Sequence, residues 1–201
     1  MAALRTRDRV LDAALSAFGT RGYDATSLDD VAAEVGVTKQ AILYHFPTKE
    51  QLLGASIEVA AQELAAAMVD AVRGDEQGFA RIEAIVRATF SLAARRPEVL
   101  GLVRAITRQG GSAAADLAAQ LSGMLDDAVQ FIEAEMAAGR FRRLEPRMLL
   151  VAIYSAVVGV ATEPEVMRAL GIEPDLRSIV VARRQTIDFL RAALLSSGDD
   201  H

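Results

Sequence analysis

The chain has 201 residues, 52% hydrophobic and 24% charged, with a formal net charge of −5, the proportions of a globular chain able to bury a sizeable core in one or two domains. It contains no cysteine, which removes disulfides, thiolate catalysis and zinc-finger chemistry. Its only histidines are His45 and His201, one inside a helical motif and one at the end of the sequence, so a Ser-His-Asp or Cys-His nucleophile system and a His-rich metal site lack their residues. Alanine-rich, short of strand formers and punctuated by Gly and Pro between periodic apolar runs, the sequence predicts an all-α protein. The segment MAALRTRDRV has no apolar core long enough for a signal peptide.

Leu11, Leu15 and Phe18 recur at helical spacing and mark a first helix. Ser27, with Asp30 three residues on, forms a capping box, and Asp29 and Asp30 suit the positive end of the helix dipole. Leu28, Val31, Ala32 and Val35 line one face of the helix that starts there, and Gly36 supplies the left-handed conformation at which it stops. Thr38 restarts a helix of about two turns, Lys39 to His45, which Pro47 and Thr48 break before Lys49 opens the next. Two short helices joined by a tight turn are a DNA-reading layout.

The same residues divide between packing and contact. Leu11, Leu15, Phe18, Leu28, Val31, Val35, Val37, Ile42 and Phe46 make a small three-helix core. Thr38, Lys39, Gln40, Ala41, Tyr44 and His45 occupy the rest of the short second helix, a mixed face suited to base edges and phosphates. Taken singly, Tyr44 reads equally as packing, His45 as a surface group and Lys39 as a solvated charge. Their joint placement after a helix-turn-helix turn favours DNA. Residues 1–50 hold six Arg or Lys against seven acids, so binding would lean on Arg5, Arg7, Arg9, Lys39 and Lys49 at individual phosphates rather than on a basic patch.

Beyond Lys49, Leu53, Ile57, Ala61, Leu64 and Met68 form a stripe on a long helix ending near Arg73 and Gly74. Phe79 to Arg95 and Glu98 to Gln109 give two more helices, and Gly110-Gly111 precedes a helix over Ala113–Ala138, closed by Gly139. Asp126-Asp127 and Glu133-Glu135 read as solvated helix faces, and no phosphate-binding Gly loop is present. Pro146 starts a helix that is apolar nearly all round to Val160 and so is expected to be buried on most sides. Its uncharged run, Met148 to Ala161, is 14 residues, too short to span a bilayer. A short helical turn follows Pro164, a final helix runs from Asp175 to Leu195, and Ser196 to His201 is expected to be a disordered tail.

The run Thr26 to Leu53, TSLDDVAAEVGVTKQAILYHFPTKEQLL, with its Val-Ala-Ala-Glu-Val-Gly-Val-Thr turn and Tyr44-His45-Phe46-Pro47-Thr48-Lys49 exit, resembles the tetracycline-repressor (TetR) family of bacterial transcriptional regulators. Arg9 to Tyr23, RVLDAALSAFGTRGY, is similar to that family's first helix, so the resemblance covers roughly residues 5–60 in detail. It implies a three-helix DNA-binding domain over 1–48, a helical effector-binding and dimerisation domain over 49–195, and the tail over 196–201. It places Lys39, Gln40 and Ala41 at bases, Gln40 being the best reader of adenine. Thr26, Ser27, Tyr44, His45 and Lys49 match positions at the sugar-phosphate backbone, and Leu43 stands where many members carry Tyr, free to pack or to touch a base methyl.

The resemblance also implies a cytoplasmic homodimeric repressor on a palindromic operator, released by a small apolar effector, with no cofactor, metal, membrane or catalytic role. Met68, Phe90, Arg104, Ile106, Thr107, Met124, Phe131 and Tyr154, with Gln130, are candidates for an effector pocket, although a plain hydrophobic core explains most of them equally well. In the final helix Leu176, Val180, Ile187, Leu190 and Leu194 follow a three-four spacing interrupted by Arg183, which suits a dimer seam or an intramolecular stripe. A helical protein-interaction module without DNA binding is the alternative, and it leaves Lys39, Gln40, Tyr44 and His45 without a shared purpose.

Overall fold

The computed structural model describes residues 2–73 and 76–195, with side chains from residue 6 onward. The expected tail over 196–201, the helix end at Gly74 and the side chain of Arg5 lie outside the described residues. Among those residues are ten helices: α1 (Ala2–Thr20), α2 (Leu28–Val35), α3 (Lys39–His45), α4 (Lys49–Ala71), α5 (Phe79–Arg95), α6 (Pro97–Gln109), α7 (Gly111–Ala137), α8 (Pro146–Thr162), α9 (Pro164–Ala169) and α10 (Leu176–Leu194). The β-pairing described is a lone bridge between Phe141 and Leu195.

The chain divides into two compact units, one within Met1–Ala65 and Arg95–Leu121, the other within Ala66–Ala94 and Ser122–His201. Packing therefore groups α6 and most of α4 with the N-terminal helices, where the sequence suggested one boundary after residue 48. In the first unit, Val10, Ala14, Leu15, Phe18, Val31, Ile42 and Leu52 are almost wholly removed from water. Leu28 and Val37, expected in this core, are half-buried at its margin. On α4 the buried face is Leu52, Ser56, Ile57, Ala60 and Ala61, which includes Ile57 and Ala61 of the expected stripe, while Leu53, Leu64 and Met68 are half-buried. α4 is long and apolar enough to cross a bilayer by length and composition; that face belongs instead to the first unit's core.

α6 lies along α1 through Val99, Leu100, Leu102, Val103 and Ile106. The approach is close because two glycines meet. A Cβ on Gly19 would fall 2.1 Å from the Glu98 carbonyl oxygen, and one on Gly101 would fall 2.3 Å from that of Gly19. Arg96, at the start of α6, pairs with Asp12 of α1 at 2.8 Å and Glu63 of α4 at 3.4 Å, and also holds Glu98. One guanidinium thus joins three helices of this unit.

The second unit is built around Phe79, Ile82, Val86 and Phe90 of α5, Ile132 and Met136 of α7, Leu149, Ile153 and Val157 of α8, and Ile187, Leu190 and Leu194 of α10. The last three residues correct the dimer-seam reading: they face the chain's own core. Of that seam, Leu176 and Val180 are exposed and Arg183 is half-buried. α8 is not buried on most sides, since Met148, Val151, Tyr154 and Val160 face solvent. Glu135, read from sequence as part of a solvated face, is 3% exposed and accepts a hydrogen bond from Arg140 Nη2 at 2.9 Å. Burying a carboxylate requires such a partner.

Candidate nucleic-acid interface

The local chemistry that builds the α2–α3 unit starts at Ser27. Its extended backbone ends one segment, its hydroxyl accepts from the Asp30 N–H at 3.1 Å, and the Asp30 carboxylate accepts from the Ser27 N–H at 2.8 Å. The Ser27 hydroxyl also donates to the Asp30 carboxylate at 2.7 Å, and this bond, followed by the one from the Ser27 N–H, holds the Asp30 carboxyl below the usual carboxylate range. Gly36, at φ 74°, then closes α2 by donating to the Ala32 and Ala33 carbonyls, a conformation that side chains with a Cβ rarely adopt. Two residues later Thr38 caps α3, its hydroxyl accepting from the Ala41 N–H at 3.2 Å.

α3 is held by Ile42, which is fully buried, and by Phe46 just past its end. The opposite side is presented outward. Lys39 and Gln40 are exposed, Ala41, Leu43 and His45 are half-buried, and Tyr44 is 82% exposed with its ring edge-on to His45 at 5.1 Å. An exposed aromatic on a short capped helix has no packing role to explain it. Thr38 and Ser27 are also exposed, with their hydroxyls engaged in capping.

Two expected backbone contacts are otherwise occupied. Thr26 is 1% exposed, and its hydroxyl donates to the Gly22 carbonyl at 2.8 Å, so it closes the α1–α2 connection from inside. Lys49 Nζ donates to the Tyr23 carbonyl at 2.6 Å and lies 4.0 Å from the centroid of the Tyr23 ring. Tyr23 in turn donates its hydroxyl to Glu50 at 3.1 Å. Burial and this carboxylate push the Tyr23 hydroxyl up, while the N–H of Glu50 itself and the Tyr23 hydroxyl hold the Glu50 carboxyl down. The clasp ties the exit of α1 to the first turn of α4.

Other cations of the head are likewise engaged. Arg7 lies over the Phe46 ring at 5.1 Å, Arg9 donates to the Val35 carbonyl, and Arg21 sits 3.5 Å from Glu34. Lys39 pairs with Asp29 at 2.8 Å, from the first turn of α3 to the first turn of α2. The sequence named these basic residues but not their acceptors. Asp29 and Tyr23 are the residues it missed, because their partners lie 10 and 26 positions away.

The candidate effector residues divide between the two units. Arg104, Ile106 and Thr107 belong to the first unit; Met68, Phe90, Met124, Phe131 and Tyr154 belong to the second. Phe90 and Ile106 are buried, Met68, Arg104, Met124 and Phe131 half-buried, and Thr107, Gln130 and Tyr154 exposed. Phe131 packs edge-on against Phe141 at 6.0 Å, with Arg81 over its ring at 4.6 Å.

Residues 10–55, which span this capped pair of helices and the ends of α1 and α4 that hold it, match the family model of bacterial regulatory proteins of the tetR family. These residues form a DNA-binding module of the tetR type. TetR-family proteins regulate transcription and are not enzymes. The chain is 36% identical over 52 residues to IcaR of Staphylococcus epidermidis, the HTH-type negative transcriptional regulator of the biofilm operon icaADBC, and to its Staphylococcus aureus (strain Newman) counterpart. Each match covers 26% of this chain and 28% of the relative, so the likeness spans under a third of the length of either protein.

Solved structures extend the likeness to the whole fold. AibR in complex with isovaleryl coenzyme A and operator DNA superposes with a TM-score of 0.76 at 21% identity, covering 94% of this chain and 98% of that one. A regulator from Saccharomonospora viridis in complex with choline gives 0.76 at 17% identity over 96% and 98% of the two chains. The ketosteroid regulator KstR2 of Mycobacterium tuberculosis gives 0.75 at 16% over 95% of each.

Proposed function

We propose that this chain is a cytoplasmic TetR-family transcriptional repressor that binds a palindromic operator as a homodimer and is released by a small apolar effector. The observation that carries the reading is the outward side of α3: Lys39, Gln40 and Tyr44 project from a helix capped by Thr38 and held by buried Ile42, and it follows a helix capped by Ser27. This is the arrangement that lets a short helix enter a major groove with its first residues toward base edges. Gln40 is the residue suited to bidentate contact with adenine, and Lys39 and Ala41 flank it. Release follows as a population shift: an effector that favours a conformation with misplaced reading heads lowers operator affinity by a coupling energy of about 1 to 3 kcal/mol. AibR was solved with isovaleryl coenzyme A and the Saccharomonospora regulator with choline, ligands of unlike chemistry on one fold. Support for an apolar effector here is therefore the Phe and Met content of the second unit, not the fold.

The test is a gel shift of the purified chain on the promoter DNA adjoining its own gene. The wild type is expected to bind, and Gln40→Ala to lose about 1 to 3 kcal/mol with relaxed preference at one base position. Equal loss on every sequence removes Gln40 as a reader, and absence of binding by the wild type overturns the repressor reading.

A further inference from the structure

Asp29 has no role in the α2 cap, because the Ser27 N–H and hydroxyl both go to Asp30. Its carboxylate instead holds Lys39 Nζ at 2.8 Å, and both side chains are well exposed, 66% for Asp29 and 43% for Lys39. A pair so open to water adds little to stability, so its position on the reading helix calls for another reason. We propose that Asp29 is a specificity-determining residue of the DNA interface: it masks the charge of Lys39 from phosphates while aiming the ammonium at base edges. The inference rests on the DNA-binding reading above.

The argument is one of range. Phosphates act on a cation through a field that reaches about 8 to 10 Å at ordinary salt. Over that distance the Asp29–Lys39 pair sums to zero, and the carboxylate adds repulsion of its own. A base-edge acceptor such as guanine O6 or N7 acts at hydrogen-bond distance. There it meets the ammonium itself, which carries three donors and gives one to Asp29. Both partners sit on first turns fixed by side-chain caps, so the geometry is set before DNA arrives. The neighbouring cations differ: Arg9 and Lys49 are bonded to backbone carbonyls and Arg7 stacks on Phe46, which fixes their positions without cancelling their charge. With the charge of Lys39 cancelled by Asp29, the head holds random DNA more weakly and depends more on base contacts for its affinity.

The experiment measures anisotropy of the full chain on a random-sequence duplex and on its promoter duplex across a salt series. Asp29→Asn is expected to tighten random-duplex binding about five- to ten-fold at 0.1 M salt, to steepen the salt slope by about one unit, and to lower the promoter-to-random ratio. Asp29→Glu should restore all three. Lys39→Gln should leave the slope unchanged in the wild-type background and reduce it by about one unit in the Asp29→Asn background. A slope unmoved by Asp29→Asn overturns the proposal. So does a full unit lost on Lys39→Gln alone, a reading that does not depend on how well the Asp29 variant folds. If the wild type binds neither duplex, the repressor reading falls and this inference with it; if it binds and the slopes fail to move, only the masking role falls.

Discussion

Lys49 stands where a phosphate contact is expected, yet its ammonium is bonded to the Tyr23 carbonyl and covered by the Tyr23 ring. A charge-assisted hydrogen bond and a cation–π contact at a half-exposed site together contribute about 1 to 2 kcal/mol. Lys49→Ala should therefore lower the melting temperature of the protein while changing the salt slope of DNA binding by much less than one unit. A full unit of slope lost with no change in melting returns Lys49 to the phosphates. The difference between the two readings shows what was legible at this scale. Ser27 and Asp30, Gly36 and Thr38 are recognisable in the sequence because a cap acts within three or four residues. Gln40 and Tyr44 are recognisable as outward because Ile42 takes the helix's buried side. Whether a basic side chain is free or bonded depends on acceptors brought close by tertiary packing, as with Arg9 and Val35 or Lys49 and Tyr23, and local pattern carries no such information.

Helix–helix contacts extend the same lesson. The Gly19–Gly101 crossing is backbone against backbone, so the neighbouring atoms cannot swing aside when a methyl is added. Gly19→Ala should force α1 and α6 apart, cost about 1 to 3 kcal/mol by overpacking, and weaken DNA binding because α1 carries α2 and α3. A variant that melts and binds as wild type would mean that the two helices separate freely. In the second unit, Arg140 holds the Glu135 carboxyl below the usual range through hydrogen bonds, against the opposing effect of burial, and the Gly78 N–H assists. A carboxylate with a lowered pKa in the folded state stabilises above its unfolded pKa, about 4.3, and that contribution is lost as pH falls through the folded value. Glu135→Gln should melt lower than wild type at pH 7, and the gap should narrow below about pH 4. A gap independent of pH would assign the loss to packing alone. Several helix limits could be read from the sequence, as at Pro146 and Asp175. The face of α4 could be read only in part: Ile57 and Ala61 are buried as expected, but in an Ala-rich helix with Leu at both 52 and 53 local pattern does not choose which Leu turns inward. Glu135 was misread because its partner, Arg140, follows the glycine that ends the helix, so charge spacing alone suggests only two solvated ends.

At the scale of the whole molecule the question is what covers the apolar surface left outside. α8 and α10 pack together within the second unit, and beyond their shared core they expose Met148 and Val151 on one and Leu176, Val180, Val181 and Phe189 on the other. Phe189 is 64% exposed although it lies two residues from buried Ile187. One helix thus has an inner stripe of Ile187, Leu190 and Leu194 and a separate outer apolar surface. Of the three-four spacing read from sequence, Ile187, Leu190 and Leu194 lie on the inner stripe, whereas Leu176 and Val180 lie on the outer surface, the candidate dimer face. A stable pair buries about 800 Å² on each partner, which needs contributions from both helices. A second copy also answers the charge problem, since a reading head with six basic and seven acidic residues in positions 1–50 holds DNA weakly alone, while two heads on a palindrome act together. Phe189→Glu should then yield a folded monomer, with unchanged helix content by circular dichroism, and should lose operator binding. Ile187→Glu should behave differently, because a carboxylate placed among the core residues of α5, α7 and α8 without a partner costs several kcal/mol and unfolds the second unit. Sedimentation separates the two cases. A Phe189→Glu protein that still sediments as a dimer and still binds its operator moves the interface off this face, and an Ile187→Glu protein that is folded but monomeric restores the inner stripe as the seam.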